Sequence, residues 1–191
     1  VFHFLPGLLG NKEGYFFGFL FYWIFWCLTI PIVLIGKTGI ASLYTPTHLR
    51  HGAGKLTNVF LLLMPLTLAY GYEFPRVVGN ANVSVILISA ILSVVNASVE
   101  EILWRGAFQK VLGNSNLIIL FSSFGFAIWH FAPQLVFGNR HPGGSASFVA
   151  VAFLLGLAYA QVTRSTGSIL WPTVSHILFD FSGLGARIYF E

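Results

Sequence analysis

Long apolar runs, broken by short polar punctuation, set the plan of this chain. A helix that crosses a bilayer needs about 20 mostly apolar residues, each rising about 1.5 Å. By that ruler about six segments are spanning helices: Tyr15 to Ile35, Leu56 to Tyr72, Val83 to Leu112, Leu117 to Phe137, Ser147 to Val162 and Ile169 to Tyr189. Turn-forming residues mark the connections at Gly36 to Gly39, Thr45 to Gly54, Gly79-Asn80, Gly113-Asn114, Asn139 to Gly144 and Arg164 to Gly167. The pattern predicts an all-α, polytopic transmembrane helix bundle. Tyr15, Tyr22, Trp23 and Trp26 suit interfacial or lipid-facing positions, and Met64-Pro65 predicts a kink. The first run is too long for the apolar region of a signal peptide and no small-residue cleavage pattern follows it, so it counts as a span. No repeat and no linker divides the chain, so residues 1–191 read as one integral membrane domain.

Composition sharpens this picture. Of 191 residues, 56% are hydrophobic and 8% are charged, whereas a soluble domain carries roughly a quarter of its residues charged. The mean hydropathy of +0.79 agrees. The net charge of +4 comes from scattered cations, and without a basic stripe there is no footprint for nucleic acid. Cys27 is the one cysteine, which excludes an internal disulfide and leaves a core or lipid-facing thiol. Lys37, Arg50, Lys55, Lys110 and Arg164 fall on one side of the bundle, against Lys12, Arg76, Arg140 and Arg187 on the other. That slight bias favours an external N-terminus.

The informative charges lie inside the apolar segments. Glu13, Glu73 and Glu191 sit at segment ends or in connections, but Glu100, Glu101 and Asp180 do not. An ionisable group at such a depth costs at least about 3 kcal/mol and faces protein or a wet cavity. Glu101 reaches Arg105 one turn on, in the favoured acid-before-base order. Glu100 points elsewhere and has Trp104 at that spacing, so its partners must come from another segment. This asymmetry suggests a structural Glu101 and a chemically available Glu100.

Histidines can supply the partners. His130 follows Phe126 by one helical turn, and His176 precedes Asp180 by one. A Glu and a His on neighbouring helices can hold a water, with the Glu taking its proton as the water attacks a carbonyl. The second His, with its neighbour, can donate to the oxyanion that forms.

Other chemistries fit less well. The spacing of His176 and Asp180 also suits metal ligation, but the H-E-x-x-H string of helical zinc proteases is missing. His3, His48, His51 and His141 fall near a terminus or in polar connections and are expected to be solvated. Phe126, Trp104 and Trp129 are expected to pack. Gly143-Gly144-Ser145-Ala146 lacks the G-x-S-x-G form of a nucleophile turn, and Ser145 is expected in a connection. Aspartyl chemistry needs a second aspartate.

Glu100-Glu101-Ile-Leu-Trp-Arg105 resembles the E-E-x-x-x-R motif of the CAAX protease and bacteriocin-processing family of membrane endopeptidases. Phe126-Ala-Ile-Trp-His130 resembles its F-x-x-x-H motif, and His176-Ile-Leu-Phe-Asp180 its third, H-x-x-x-N or H-x-x-x-D. The resemblance covers roughly residues 95 to 181, within a motif-bearing core at about 83–190. It implies an all-helical membrane fold and a metal-independent, glutamic-type endopeptidase with no cofactor. It implies Glu100 and His130 as the water-activating pair, His176 and Asp180 on the oxyanion side, and Glu101 and Arg105 as organising residues. Asp180 is a departure, because an ionised carboxylate cannot donate to an oxyanion where an Asn amide can; it is expected to orient His176. The implied partners are membrane lipid and a peptide or lipidated-peptide substrate, either prenylated CAAX-type or a bacteriocin or leader peptide. The implied location is the bacterial cytoplasmic membrane. Two other classes compete: a non-catalytic scaffold or immunity protein that uses the polar cluster as helix glue, and a small transporter relaying protons.

Overall fold

In the computed structural model, which describes residues 1–46, 53–138 and 143–190, each of the apolar segments is helical. A short α1 (Leu5–Leu9) leads into α2 (Asn11–Ser42), which is kinked at Gly36, the residue after the expected end of the first span at Ile35. Gly36 does break the helical geometry there, with φ of 70°, but the helix resumes to Ser42. Residues 53–78 form α3, which contains Pro65. Then come α4 (Val83–Leu112), α5 (Asn116–Trp129), the single turn α6 (Phe131–Gln134), α7 (Gly144–Thr166), α8 (Leu170–Ser182) and α9 (Arg187–Phe190). His48, Arg50, His51, Arg140, His141 and Glu191 lie outside the described residues. Among the described residues, four helices are long and apolar enough to cross a membrane: Asn11–Ser42, Val83–Leu112, Asn116–Gln134 and Gly144–Thr166.

The ends of these helices follow local chemistry. Asn82 caps α4 by accepting from Val85 N at 2.9 Å. Gly113, at φ of 86°, ends it in a conformation that favours glycine. Pro133 has no N–H to offer the Trp129 carbonyl, so the helix through α5 tightens into a turn at His130 before α6 begins. The last apolar segment ends at Ser182, short of the expected Tyr189, because Gly183 and a left-handed Leu184 (φ 45°) interrupt it. At the other limit α7 begins at Gly144, so Ser145 lies in a first helical turn and not in a connection.

Among the described residues three stretches carry widened, π-helical turns: Tyr22–Thr29 in α2, Ala69–Glu73 in α3 and Ile102–Ala107 in α4. Two of them run into prolines, Pro31 and Pro75, whose missing N–H and bulky ring disfavour the regular ladder. The third immediately follows Glu101.

Large apolar side chains cover much of the outside, and hydroxylated ones join the apolar core. Leu56, Val83, Leu117 and Leu154 face outward and exposed, whereas Ser89, Ser93, Ser122, Ser123, Thr163 and Thr173 are buried. Small and hydroxylated residues let membrane helices approach closely, while apolar side chains face lipid. At the α5–α7 crossing, a Cβ on Gly156 would lie 3.0 Å from Ser123 Cβ and 3.1 Å from Ser123 Cα. α4 packs on α8 and α5 on α7, which sets the three motif-bearing helices around one interior.

Candidate active site

α4 delivers Glu100, Glu101 and Arg105 to that interior, all at most 1% exposed. The two carboxylates have different surroundings, as one helical residue of rotation requires. Glu101 Oε1 is shared by Arg105 Nη1 at 3.1 Å and His176 Nδ1 at 2.8 Å. Its partner Arg105 lies with its guanidinium carbon 4.1 Å from the centroid of the Phe126 ring and 5.7 Å from that of Tyr159, a stacking that suits a planar cation.

Among the described residues, Glu100 has no cation at ion-pair distance beyond His176, whose Nε2 is 3.7 Å from Oε2. Neutral donors hold it instead. Tyr22 donates to Oε1 at 3.0 Å and Asn96 Nδ2 donates to Oε2 at 3.1 Å. Each donor is itself fixed by an indole: Trp104 Nε1 donates to the Tyr22 hydroxyl at 2.8 Å, and Trp23 Nε1 donates to Asn96 Oδ1 at 2.8 Å.

From α8, His176 Nε2 lies 3.4 Å from Asp180 Oδ1. The closer partner of His176 is Glu101, so two acids share the work of orienting that ring, not Asp180 alone. Asp180 also accepts from Asn96 Nδ2, at 2.9 Å. His130, at the turn closing α5, brings its Nδ1 2.7 Å from the Phe126 carbonyl. A carbonyl only accepts, so Nδ1 carries the proton and a neutral ring leaves Nε2 as an acceptor. The Phe126 ring is an edge-to-face neighbour of both His130 (4.6 Å between centroids) and His176 (5.8 Å). Among the described residues no hydrogen bond joins His130 to Glu100.

The structure therefore gathers Glu100, Glu101, Arg105, His176 and Asp180 into one connected cluster, with His130 beside it across Phe126. His3 is exposed, as expected, and Cys27 is a core thiol. Trp26 faces outward. Tyr22 and Trp23 correct the sequence-based expectation: they are 2% and 8% exposed and point inward to the cluster. The amphipathic character of the two side chains was visible in the sequence, but the widened turn that begins at Tyr22 helps set which face they occupy. Asn96 is a residue that sequence reasoning misses. Its only sequence signal is a polar amide inside an apolar helix, one turn before Glu100. Trp104 packs, as expected, on Phe108 and Phe126, and in addition serves as a donor.

Beside the cluster runs an apolar groove of about 550 Å³ between α2 and α4, lined by Tyr22, Trp26, Leu103, Trp104, Phe108 and Trp129 among others. Tyr22 and Trp104 belong to both groove and cluster, and the Tyr22 ring stacks on Trp129 with centroids 3.6 Å apart. Among the described residues no group of three or more His, Cys, Asp or Glu is arranged to hold a metal ion.

Residues 82–182 match the family model described as type II CAAX prenyl endopeptidase Rce1-like. That stretch contains every acid and histidine of the cluster and Asn96, and leaves out α2, the source of Tyr22 and Trp23. Comparison with curated proteins and with solved structures finds no match.

Proposed function

This chain belongs to the Rce1-like type II CAAX prenyl endopeptidase family, and on that premise we propose that it hydrolyses a membrane-presented peptide with water activated by Glu100 and His130. The observation that supports this most is the contrast between the two glutamates. Glu101 is committed to Arg105 and His176, whereas Glu100 is buried, held on both oxygens by neutral donors, and has among the described residues no cation closer than His176 at 3.7 Å. A merely structural acid pair gains nothing from that difference, and a general base does.

In the proposed reaction Glu100 takes a proton from a water as its oxygen bonds to the scissile carbonyl carbon. The same proton is then passed to the amine that leaves as the C–N bond breaks. Nε2 of neutral His130, an acceptor once Nδ1 donates to the Phe126 carbonyl, takes the water's second hydrogen. His176 Nε2, beside Glu100 and Asp180, faces the carbonyl oxygen on which negative charge develops; Asp180 as a carboxylate offers no donor, so donation there falls to His176. The groove along α2 and α4 suits the hydrocarbon part of a prenylated substrate, since its size is that of an ordinary ligand pocket, its wall is apolar, and two of its lining residues, Tyr22 and Trp104, also belong to the cluster. Because the groove favours a lipidated peptide, a bacteriocin or leader peptide is the lesser branch.

A scaffold is the competing reading. It is favoured by one fact: the polar groups tie helices together, Trp23 to Asn96, Tyr22 to Glu100 and His176 to Glu101. Cleavage of a fluorogenic farnesylated CAAX-type peptide in detergent separates the two. The wild type should cleave, and Glu100→Gln and His130→Ala should each lose roughly 100-fold or more. Cleavage should withstand chelators. Folded variants that cleave like the wild type would rule the peptidase out.

A further inference from the structure

Glu100 and Asp180 are two acids from different helices converging on one edge of His176, at 3.7 Å and 3.4 Å from its Nε2. Like charges so placed repel unless something with donors sits between them. Asn96 does. Its Nδ2 is 3.1 Å from Glu100 Oε2 and 2.9 Å from Asp180 Oδ2, one N–H for each acid. An amide could also face the other way, with its oxygen toward the acids. Trp23 forbids this, because the indole N–H can only donate and lies 2.8 Å from Asn96 Oδ1. Reversing the amide would set N–H against N–H on one side and oxygen against carboxylate on the other.

We infer that Asn96 is a positioning residue for hydrolysis, an amide clamp that Trp23 orients so that it holds Glu100 and Asp180 at a fixed separation around His176. The inference rests on the assignment of Glu100 as the base. It assigns a function to a residue outside the three sequence motifs and to one in α2, outside the matched stretch. It also gives Asp180 a place: the acid needs an amide opposite it, and Asn96 supplies that amide from the neighbouring helix. Through this chain of contacts α2 acts on the base from both sides, with Tyr22 on Oε1 and Trp23, by way of Asn96, on Oε2.

The test is steady-state cleavage of the farnesylated fluorogenic peptide by full-length protein in detergent, with thermal stability measured beside it. Asn96→Ala should lower kcat about 10- to 100-fold, the effect of losing a hydrogen bond to a charged group, while KM moves by no more than about twofold. Trp23→Phe should lower kcat in the same direction, by about 3- to 10-fold. The double variant should be no slower than Asn96→Ala alone, because Trp23 acts through the amide. Asn96→Asp sets a third acid against the other two and should fall below Asn96→Ala. Adding Asp180→Asn to it restores a donor opposite an acceptor and should recover about fivefold or more.

A structural role alone would lower stability without this non-additivity or rescue. If Asn96→Ala and Trp23→Phe both keep kcat within about twofold of wild type while Glu100→Gln is inactive, the clamp is overturned and the peptidase stands. If Glu100→Gln cleaves like wild type, both fall. Should Asn96→Ala fail to fold, Trp23→Phe, which leaves the amide in place, decides the matter by the same threshold.

Discussion

Tyr22→Phe takes one oxygen from the site and leaves almost everything else. The ring keeps its stack on Trp129, at 3.6 Å and 17° between planes, so the α2–α5 contact should survive. Two hydrogen bonds do not: Trp104 Nε1 loses its acceptor at 2.8 Å and Glu100 Oε1 loses its donor at 3.0 Å. Each buried group left without a partner costs about 1–3 kcal/mol. Local relaxation and the indole's partial exposure reduce the sum, so a net destabilisation of about 2 kcal/mol is expected, read as a drop of several degrees in Tm in detergent. The bond to Glu100 also fixes the direction of the proposed base, and a hydrogen bond to a charged group is worth about 1.5–3 kcal/mol, or roughly 10- to 100-fold in kcat. The assay is cleavage of the farnesylated peptide, fitted for kcat and KM separately. Trp104→Phe is the control: it removes the donor to Tyr22 but leaves the hydroxyl free to bond Glu100, so its loss in kcat should be smaller. A Tyr22→Phe protein that loses Tm but keeps kcat within about twofold of wild type would refute the reasoning, because the hydroxyl would then be a structural contact only.

Two further outcomes follow from the same packing. Arg105→Met should leave Glu101 a buried acid without its cation and cost about 3–5 kcal/mol, visible as loss of folded protein in detergent; Arg105→Lys, which keeps the charge but not the flat face over Phe126, should be intermediate. Equal Tm values for Lys and Arg would show that the stack contributes nothing. Gly156→Val should separate α5 from α7 at Ser123 and destabilise by about 1–3 kcal/mol, whereas valine at the outward-facing Leu154 should be nearly silent in the same thermal-shift measurement. A silent Gly156→Val would mean that the crossing is looser than its 3.0 Å approach implies.

Much of the plan was legible in the residue pattern because bilayer and helix impose one-dimensional rules. A run from Val83 to Leu112 with Gly113 after it is a helix by length and stop, and it forms with those limits. Acids inside such a run are too costly to be incidental, which picked out Glu100, Glu101 and Asp180. The turn-by-turn spacing of Glu101 with Arg105 and of His176 with Asp180 set those pairs, since residues four apart share a helical face.

What sequence could not decide were the contacts between helices. Whether Tyr22 and Trp23 meet lipid or a carboxylate depends on how α2 is rotated against α4, and a rotation is fixed by packing and by the widened turn at Tyr22–Thr29, not by composition. Likewise, His176 turned out to be held more closely by Glu101 than by Asp180, though only the latter shares its helix. Asn96 reaches its partners across α2, α4 and α8 at once. Which polar groups had to be buried follows from the order of residues alone, because burying charge in an apolar run has a cost set by the residue and its depth. Which neutral donors meet them follows from how the helices pack, because a hydrogen bond depends on distances of about 3 Å that no one-dimensional spacing defines between separate helices.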